Sequence, residues 1–170
     1  WNQSYQTYIN QYKDLAIEQM LRYRIPASIT LAQGLFESRA GQSDLVRQGN
    51  NHFGIKCHNW TGPTQYHDDD ARGECFRVYQ DAKESYEDHS RFLAKQPRYS
   101  RLFSLNTTDY KGWAHGLKSC GYATNPQYAN KLIQIIELYR LQDYDKAKSY
   151  DRFMATHSGT DVPINAEGTL

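Results

Sequence analysis

The spacing of apolar side chains predicts a helix over residues 4–24. Tyr5, Tyr8, Ile9, Tyr12, Leu15, Ala16 and Met20 recur there at the three- and four-residue intervals of one buried face. Pro26 ends that helix or opens the next, and Pro26–Ala40 reads as a second helix, since proline is tolerated in a first turn. Ile29, Ala32 and Phe36 form its stripe, and Gly41 is placed to stop it. From Gly41 to Gly73 the helical period disappears, and Gly49, Asn50, Asn51, Gly54, Gly62 and Pro63 mark loop and turn. Thr64–Tyr66 and Cys75–Tyr79 read as two short strands. The polar stretch His67–Gly73 between them suits the tip of a hairpin.

Helical spacing returns over Asp81–Gln96, with Tyr86, His89, Phe92 and Leu93 on one face. Thr107 or Thr108 can cap a further helix to about Ser119, which Gly121 stops. Asn125-Pro126 reads as an N-cap followed by proline at the first helical position. It opens a helix from Gln127 to about Leu141 striped by Tyr128, Leu132, Ile135, Ile136 and Tyr139. Beyond Tyr150 the pattern dissolves, and no internal repeat is visible. The organisation expected is one folded domain over residues 1–147 and a tail or linker over 148–170, the domain being mainly α (α+β) with one small β insertion.

Composition narrows the class. The 170 residues suit one domain, and a net charge of +1 excludes the basic surface that nucleic acid would require. Leu, Ile, Val and Phe make up only about 18% of the chain, but 14 Tyr and 3 Trp supply the rings that a disordered chain lacks. No apolar run approaches the ~18 residues of a membrane span. The chain begins at Trp1 rather than Met and reads as a processed or engineered fragment, which a removed signal peptide would fit. Of the three cysteines, Cys57 and Cys75 would close a 19-residue loop if bridged. Loop entropy makes such a bridge worth roughly 3 kcal/mol. It would favour an oxidising compartment and leave Cys120 as the odd thiol; the alternative is three buried free thiols.

Candidate chemistry begins with Glu37, near the end of an apolar helix and directly before a glycine-rich loop. A carboxyl at the rim of a core, facing a cleft, is desolvated enough to act as a general acid. The plain alternative is a solvated helix glutamate. Asp68, Asp69 and Asp70 crowd the hairpin tip, where one carboxylate could work opposite Glu37 in a two-carboxyl hydrolase. They could also bind Ca²⁺, although no Asp-x-Asp-x-Asp-Gly loop is present, or form a solvated turn. Cys57, His58, His67 and Cys75 are zinc-ligand types without a recognised finger spacing. Nucleophilic catalysis has no Gly-x-Ser-x-Gly motif, and Cys120 has no evident His partner. Phe53, Trp60, Tyr66, Phe76, Tyr79 and Tyr122 sit in or beside loops, where rings either line a sugar groove or seal a small core.

Four blocks, in order, resemble one family. Ala32-Gln33-Gly34-Leu35-Phe36-Glu37-Ser38-Arg39-Ala40-Gly41 resembles the catalytic helix of the bacterial glucosaminidase domain, glycoside hydrolase family 73, with its Ala-Gln-x-x-x-Glu-Ser-x-x-Gly pattern. Asn51-His52-Phe53-Gly54-Ile55-Lys56 is similar to its Asn-x-Phe-Gly-Ile-Lys block. Phe76-Arg77-x-Tyr79 with Ser85-x-x-Asp88-His89-x-x-Phe92-Leu93 follows as it does in the family. Gly121-Tyr122-Ala123-Thr124-x-Pro126-x-Tyr128 completes the set, with Asn125 where Asp is common. The resemblance runs from about residue 5 to 142.

The resemblance implies a lysozyme-like helical fold with a small β-hairpin lobe over a substrate cleft. It also implies endo-acting hydrolysis of the GlcNAc-β-1,4-MurNAc bond of peptidoglycan, with Glu37 as general acid. The second carboxylate is expected on the hairpin, at Asp69 or Asp70 in preference to Glu74, which the neighbouring Cys75 would turn away. Carboxyls ~5–5.5 Å apart would suit retention and ~6.5–9.5 Å inversion; a third route uses the substrate's own acetamido group, with Tyr122 orienting it. Asn51, Phe53, Lys56 and Tyr128, which fall in matched blocks, join the rings Trp60, Tyr66 and Tyr79 as the expected substrate-binding set. The chemistry requires no metal or cofactor. The partner implied is the peptidoglycan glycan strand, met by a monomer in the bacterial cell envelope, periplasmic or secreted. Two other readings share these residues: a muramidase or lytic transglycosylase cutting the alternate bond, and a peptidoglycan-binding module of the same fold without turnover.

Overall fold

The computed structural model describes residues 2–69 and 71–148, so Trp1, Asp70 and the expected tail beyond Lys148 lie outside the described residues. Its centre is a helix that is buried on every side. This helix, α2 (Ala27–Glu37), buries every residue from Ala27 to Leu35, the polar Ser28, Thr30 and Gln33 included. A helix without a solvent-facing stripe is stable only when surrounded. It is flanked by α1 (Gln3–Tyr23), by α6 (Tyr128–Leu138) and by a short 3₁₀ segment, Leu141–Lys146. Asp145 from that segment accepts from the Ser28 backbone N–H at 2.8 Å and from its hydroxyl at 2.5 Å, satisfying the start of α2 where Pro26 has no capping side chain.

Around this axis the predicted helices form with small shifts. α1 starts at Asn2, whose side chain accepts from the backbone of Ser4 and Tyr5, and ends where Arg24 turns left-handed. Its tyrosines supply core volume: Tyr8 is buried, and Tyr5 and Tyr12 pack half-buried against the core. α4 (Ala82–Lys95), capped by Asp81, leads into a 3₁₀ turn, Pro97–Ser104, and then α5 (Tyr110–Ser119) around the buried ring of Trp113.

Two local expectations are corrected. The loop after Gly41 contains a one-and-a-half-turn helix, α3 (Asp44–Gly49), capped by Ser43; six residues are too few for a helical period to register. Asn125 is not the cap of α6. Its side chain accepts from Gln127 N and its carbonyl from Tyr128 N, making a turn, and α6 begins only at Tyr128 and ends at Leu138.

The β lobe is a hairpin of β1 (Thr64–His67) and β2 (Glu74–Arg77), antiparallel with Gln65 opposite Phe76. On the other edge of β2, Lys56 bridges Phe76, and Cys57 N donates to the Cys75 carbonyl. Cys57 and Cys75 form the expected disulfide, their Cα atoms 5.4 Å apart, while Cys120 is a free thiol. The fold is the mainly helical α+β domain with a small β lobe that the pattern predicts.

Candidate active site

Glu37 is the last residue of α2, where the buried helix meets a cleft. The chain leaves it sharply. Arg39, Ala40 and Gly41 all have positive φ (51°, 58° and 81°), a left-handed run costing about 1–2 kcal/mol for each non-glycine residue. Hydrogen bonds from Ala40 N to Leu35 O, and from Gln42 N and Ser43 N to Ser38 O, hold the reversal. Across the cleft, Gly54 adopts φ +63°, and a Cβ there would stand 3.9 Å from Glu37 Oε1. The Phe53-Gly54 turn therefore lies against the carboxyl group.

Burial pushes the Glu37 carboxyl up to about 7; the Asp69 charge adds to this, and a hydrogen bond from the Tyr128 hydroxyl opposes it. The C-terminal end of α2 carries the negative end of the helix dipole, which acts in the same direction as burial. A carboxyl in this state holds its proton near neutral pH and releases it to a developing oxyanion, as a general acid must.

The cleft encloses about 420 Å³. Phe36, Phe53, Phe92, Tyr99, Tyr122 and Tyr128 line it with rings, Lys56, His58 and Arg98 with cationic or basic groups, and Glu37 and Asp69 with carboxyls. Burial, and then the charges of Arg77, Arg98 and Lys56, lower the His58 pKa. Tyr122 stacks on Tyr128 (centroids 6.0 Å apart, planes at 21°). Burial, then Tyr128 and Glu37, keep its hydroxyl protonated and available as a neutral donor.

The sequence-predicted residues divide between the cleft and its supports. Glu37, Asp69, Tyr122, Phe53, Lys56 and Tyr128 meet at the cleft; Asp70 lies outside the described residues. Glu74 binds Lys56 at 2.7 Å and is not among the lining residues. Asn51 is buried, its amide donating to the Ile55 and Arg77 carbonyls and its oxygen accepting from Ile55 N, which staples the loop to β2. The Tyr79 hydroxyl donates to Asp88 at 2.5 Å, beside the Arg77–Asp88 ion pair at 2.9 Å. Trp60 donates to the Pro63 carbonyl and carries the Arg77 guanidinium 5.1 Å above its ring. Through Asp88, Tyr79 and Arg77 tie the β lobe to α4, with Trp60 packed on Arg77. Tyr66 is 67% exposed on β1.

Arg98, which follows Pro97 in the 3₁₀ turn, carried no sequence signal, and His58, the exposed neighbour of Cys57, was marked only as a zinc-ligand type and lines the cleft instead. The zinc set loses its thiolates to the disulfide, and no group of three or more His, Cys, Asp or Glu side chains converges as metal ligands among the described residues.

The chain and its fold are similar to known proteins. Residues 13–141 match the family described as Glucosaminidase, mannosyl-glycoprotein endo-beta-N-acetylglucosaminidase. The chain is similar to the exo-glucosaminidase LytG of Bacillus subtilis, 35% identical over 136 residues covering 74% of this chain and 48% of LytG. It is 32% identical over 139 residues to the peptidoglycan hydrolase FlgJ of Salmonella typhimurium, covering 74% of this chain and 43% of that protein. The chain thus spans about half the length of the curated relatives it matches. Among solved structures it is similar to the catalytic domain of the autolysin Auto from Listeria monocytogenes (30% identity, TM-score 0.71, 85% of this chain and 89% of that one). It also resembles the glycoside hydrolase domain of Salmonella typhimurium FlgJ (26% identity, TM-score 0.67, 89% of this chain and 98% of that one).

Proposed function

We propose, starting from the fact that this chain belongs to the glucosaminidase family, that it hydrolyses the GlcNAc-β-1,4-MurNAc bond within peptidoglycan glycan strands, with Glu37 as general acid. The observation that carries this reading is a carboxyl raised to about 7 at the end of a buried helix, facing a ring-lined cleft and a second carboxylate. Sugar rings stack their C–H faces on Phe and Tyr rings, and the cationic wall suits the acidic groups of the polymer. Glu37 protonates the glycosidic oxygen as the bond to the anomeric carbon breaks. Positive charge then develops at that carbon. Asp69, the described hairpin carboxylate that reaches the cleft, stabilises it directly or through the substrate's acetamido oxygen, which the Tyr122 hydroxyl orients. The Cys57–Cys75 disulfide supports a site of action in the cell envelope, outside the reducing cytosol.

Zymography on purified cell walls tests the acid: Glu37→Gln should lose at least ~10²-fold in clearing rate. Equal clearing by wild type and variant would refute the role of Glu37. Mass spectrometry of borohydride-reduced products tests the bond. Fragments ending in reduced GlcNAc support the assignment; reduced MurNAc or an anhydro-MurNAc end overturns it. Release of single sugars rather than oligomers would overturn the endo mode.

A further inference from the structure

Behind Glu37 runs a line of buried polar side chains that ends on Tyr128, at the wall of the cleft. His89 Nε2 lies 2.9 Å from Gln33 Oε1, and Gln33 Nε2 lies 2.9 Å from the Tyr128 hydroxyl oxygen. Tyr128 lines the same cleft as Glu37, and its hydroxyl, acting as a donor, opposes the rise that burial gives the Glu37 carboxyl. Three elements contribute: α4, α2 and α6. Gln33 and His89 are fully buried and Tyr128 is 1% exposed, so solvent provides no alternative partners.

The first member sets the direction of the whole line. With Nδ1 unpartnered, the neutral His89 ring carries its hydrogen on Nε2 and donates to Gln33 Oε1. The Gln33 amide nitrogen then donates to the Tyr128 oxygen. The Tyr128 hydrogen is left to point at Glu37, whether that carboxyl is ionised or carries its proton on the other oxygen. Reversing one link would set donor against donor or acceptor against acceptor in a buried site. His89 suits this fixed role. Burial pushes its pKa down to about 3, so it stays a neutral ring, and it stacks on Phe53 (centroids 3.9 Å apart, planes at 18°). Its Nδ1 has no partner among the described residues, which a bare acceptor nitrogen tolerates better than an N–H. Glutamine is the side chain this geometry needs at position 33, because one end must accept and the other donate.

We propose, resting on the reading of Glu37 as general acid, that Gln33 and His89 are positioning residues for that acid: they hold the Tyr128 hydroxyl as a fixed donor to one Glu37 oxygen, so that the catalytic proton is carried by the other. The remaining groups that face Glu37 lie apart from this line. They are Asp69 on the hairpin, Tyr122 before α6, and Lys56, His58 and Arg98 on the cleft wall. A neutral change at Gln33 therefore alters the line and leaves those charges in place.

The test is a carboxyl ¹³C NMR titration of Glu37 in the whole chain labelled at glutamate, its signal assigned by its loss in Glu37→Gln. Tyr128→Phe removes the donor and should raise the Glu37 midpoint by about one unit. Gln33→Met should raise it in the same direction by about 0.3 unit or more, and the double variant should match Tyr128→Phe alone. In both single variants the alkaline limb of kcat/KM on peptidoglycan should move up with the midpoint, and kcat should fall with KM unchanged. A Gln33→Met midpoint within about 0.1 unit of wild type, or an effect that adds in full to that of Tyr128→Phe, overturns the proposal.

If Gln33→Met does not fold, the unmodified protein still decides, because ¹⁵N spectra must show His89 protonated at Nε2. An Nδ1–H tautomer overturns the proposal. The titration needs no substrate, so the two readings separate. Shifts without peptidoglycan cleavage overturn the hydrolase reading and the acid role with it; cleavage without shifts overturns the line alone.

Discussion

Replacing the acid should stabilise the protein, and only above acidic pH. In the folded chain burial raises the Glu37 carboxyl from 4.5 to about 7. Ionising it therefore costs more folded than unfolded, and the difference of about 2.5 units corresponds to roughly 3 kcal/mol. The sign follows from linkage. Below pH 4.5 the group is protonated in both states and contributes nothing. Between 4.5 and 7 the unfolded chain releases its proton first, so wild-type stability falls as pH rises, and above 7 the loss is complete. Glu37→Gln keeps the shape and stays neutral. It should match wild type, to within a constant offset, at pH 4 and exceed it by roughly 2–3 kcal/mol at pH 8. Asp145, which burial also raises to about 7, titrates in the same window but cancels in the difference between the two proteins. Urea unfolding of both proteins at intervals from pH 4 to 8 measures this directly. A stability difference that is flat with pH, or that shrinks as pH rises, would refute the claim that Glu37 is held protonated by burial. It would remove the physical basis for its acid role.

Two further outcomes test the scaffold. In an ordinary helix Gly→Ala gains about 1 kcal/mol, but a Cβ at Gly34 would meet the Tyr8 hydroxyl at 2.6 Å and that of Tyr86 at 3.0 Å. Those hydroxyls bond each other at 2.8 Å and Tyr8 also bonds His52 Nδ1 at 2.8 Å, all of it buried, so Gly34→Ala should destabilise by about 1–3 kcal/mol in urea unfolding. An equal or higher midpoint would show that the cluster yields, and Tyr8→Phe should relieve much of the cost. Cys57→Ser with Cys75→Ser opens a loop whose closure is worth roughly 3 kcal/mol. Hydrogen exchange should rise first at Cys57 N and along β1 and β2, with α2 still protected; uniform loss of protection would show that the bridge supports the whole domain.

Much of this molecule is legible one residue at a time. The helical period places α1, α2, α4 and α6 because each buries one stripe or, for α2, every side, and that periodicity survives in the sequence; α5 is read from its end signals, and its cap is Asp109 rather than Thr107 or Thr108. The hairpin follows from its polar tip between short apolar runs, and the Glu37, Phe53, Lys56 and Tyr128 blocks meet at the cleft in the order in which the family resemblance presents them. α3 and the turn at Asn125 escaped because they depend on one or two local hydrogen bonds and not on a repeating face.

What the sequence alone determines, then, is which of the longer segments are helical, which carboxyl stands near the end of the second helix, and which cysteines lie close enough in the chain to pair. It leaves open what each ring and amide is for. Tyr79 and Trp60 look like sugar platforms in sequence and prove to brace Arg77 and Asp88. Tyr128 is expected to bind substrate and Gln33 stands in the motif with no role assigned to it; in the structure Gln33 donates to the Tyr128 hydroxyl, which acts on Glu37. The reason is that these roles depend on partners 9 to 95 residues away. Hydrogen-bond direction and the desolvation that raises Glu37 exist only once α2, α4, α6 and the hairpin have closed around the same few ångströms.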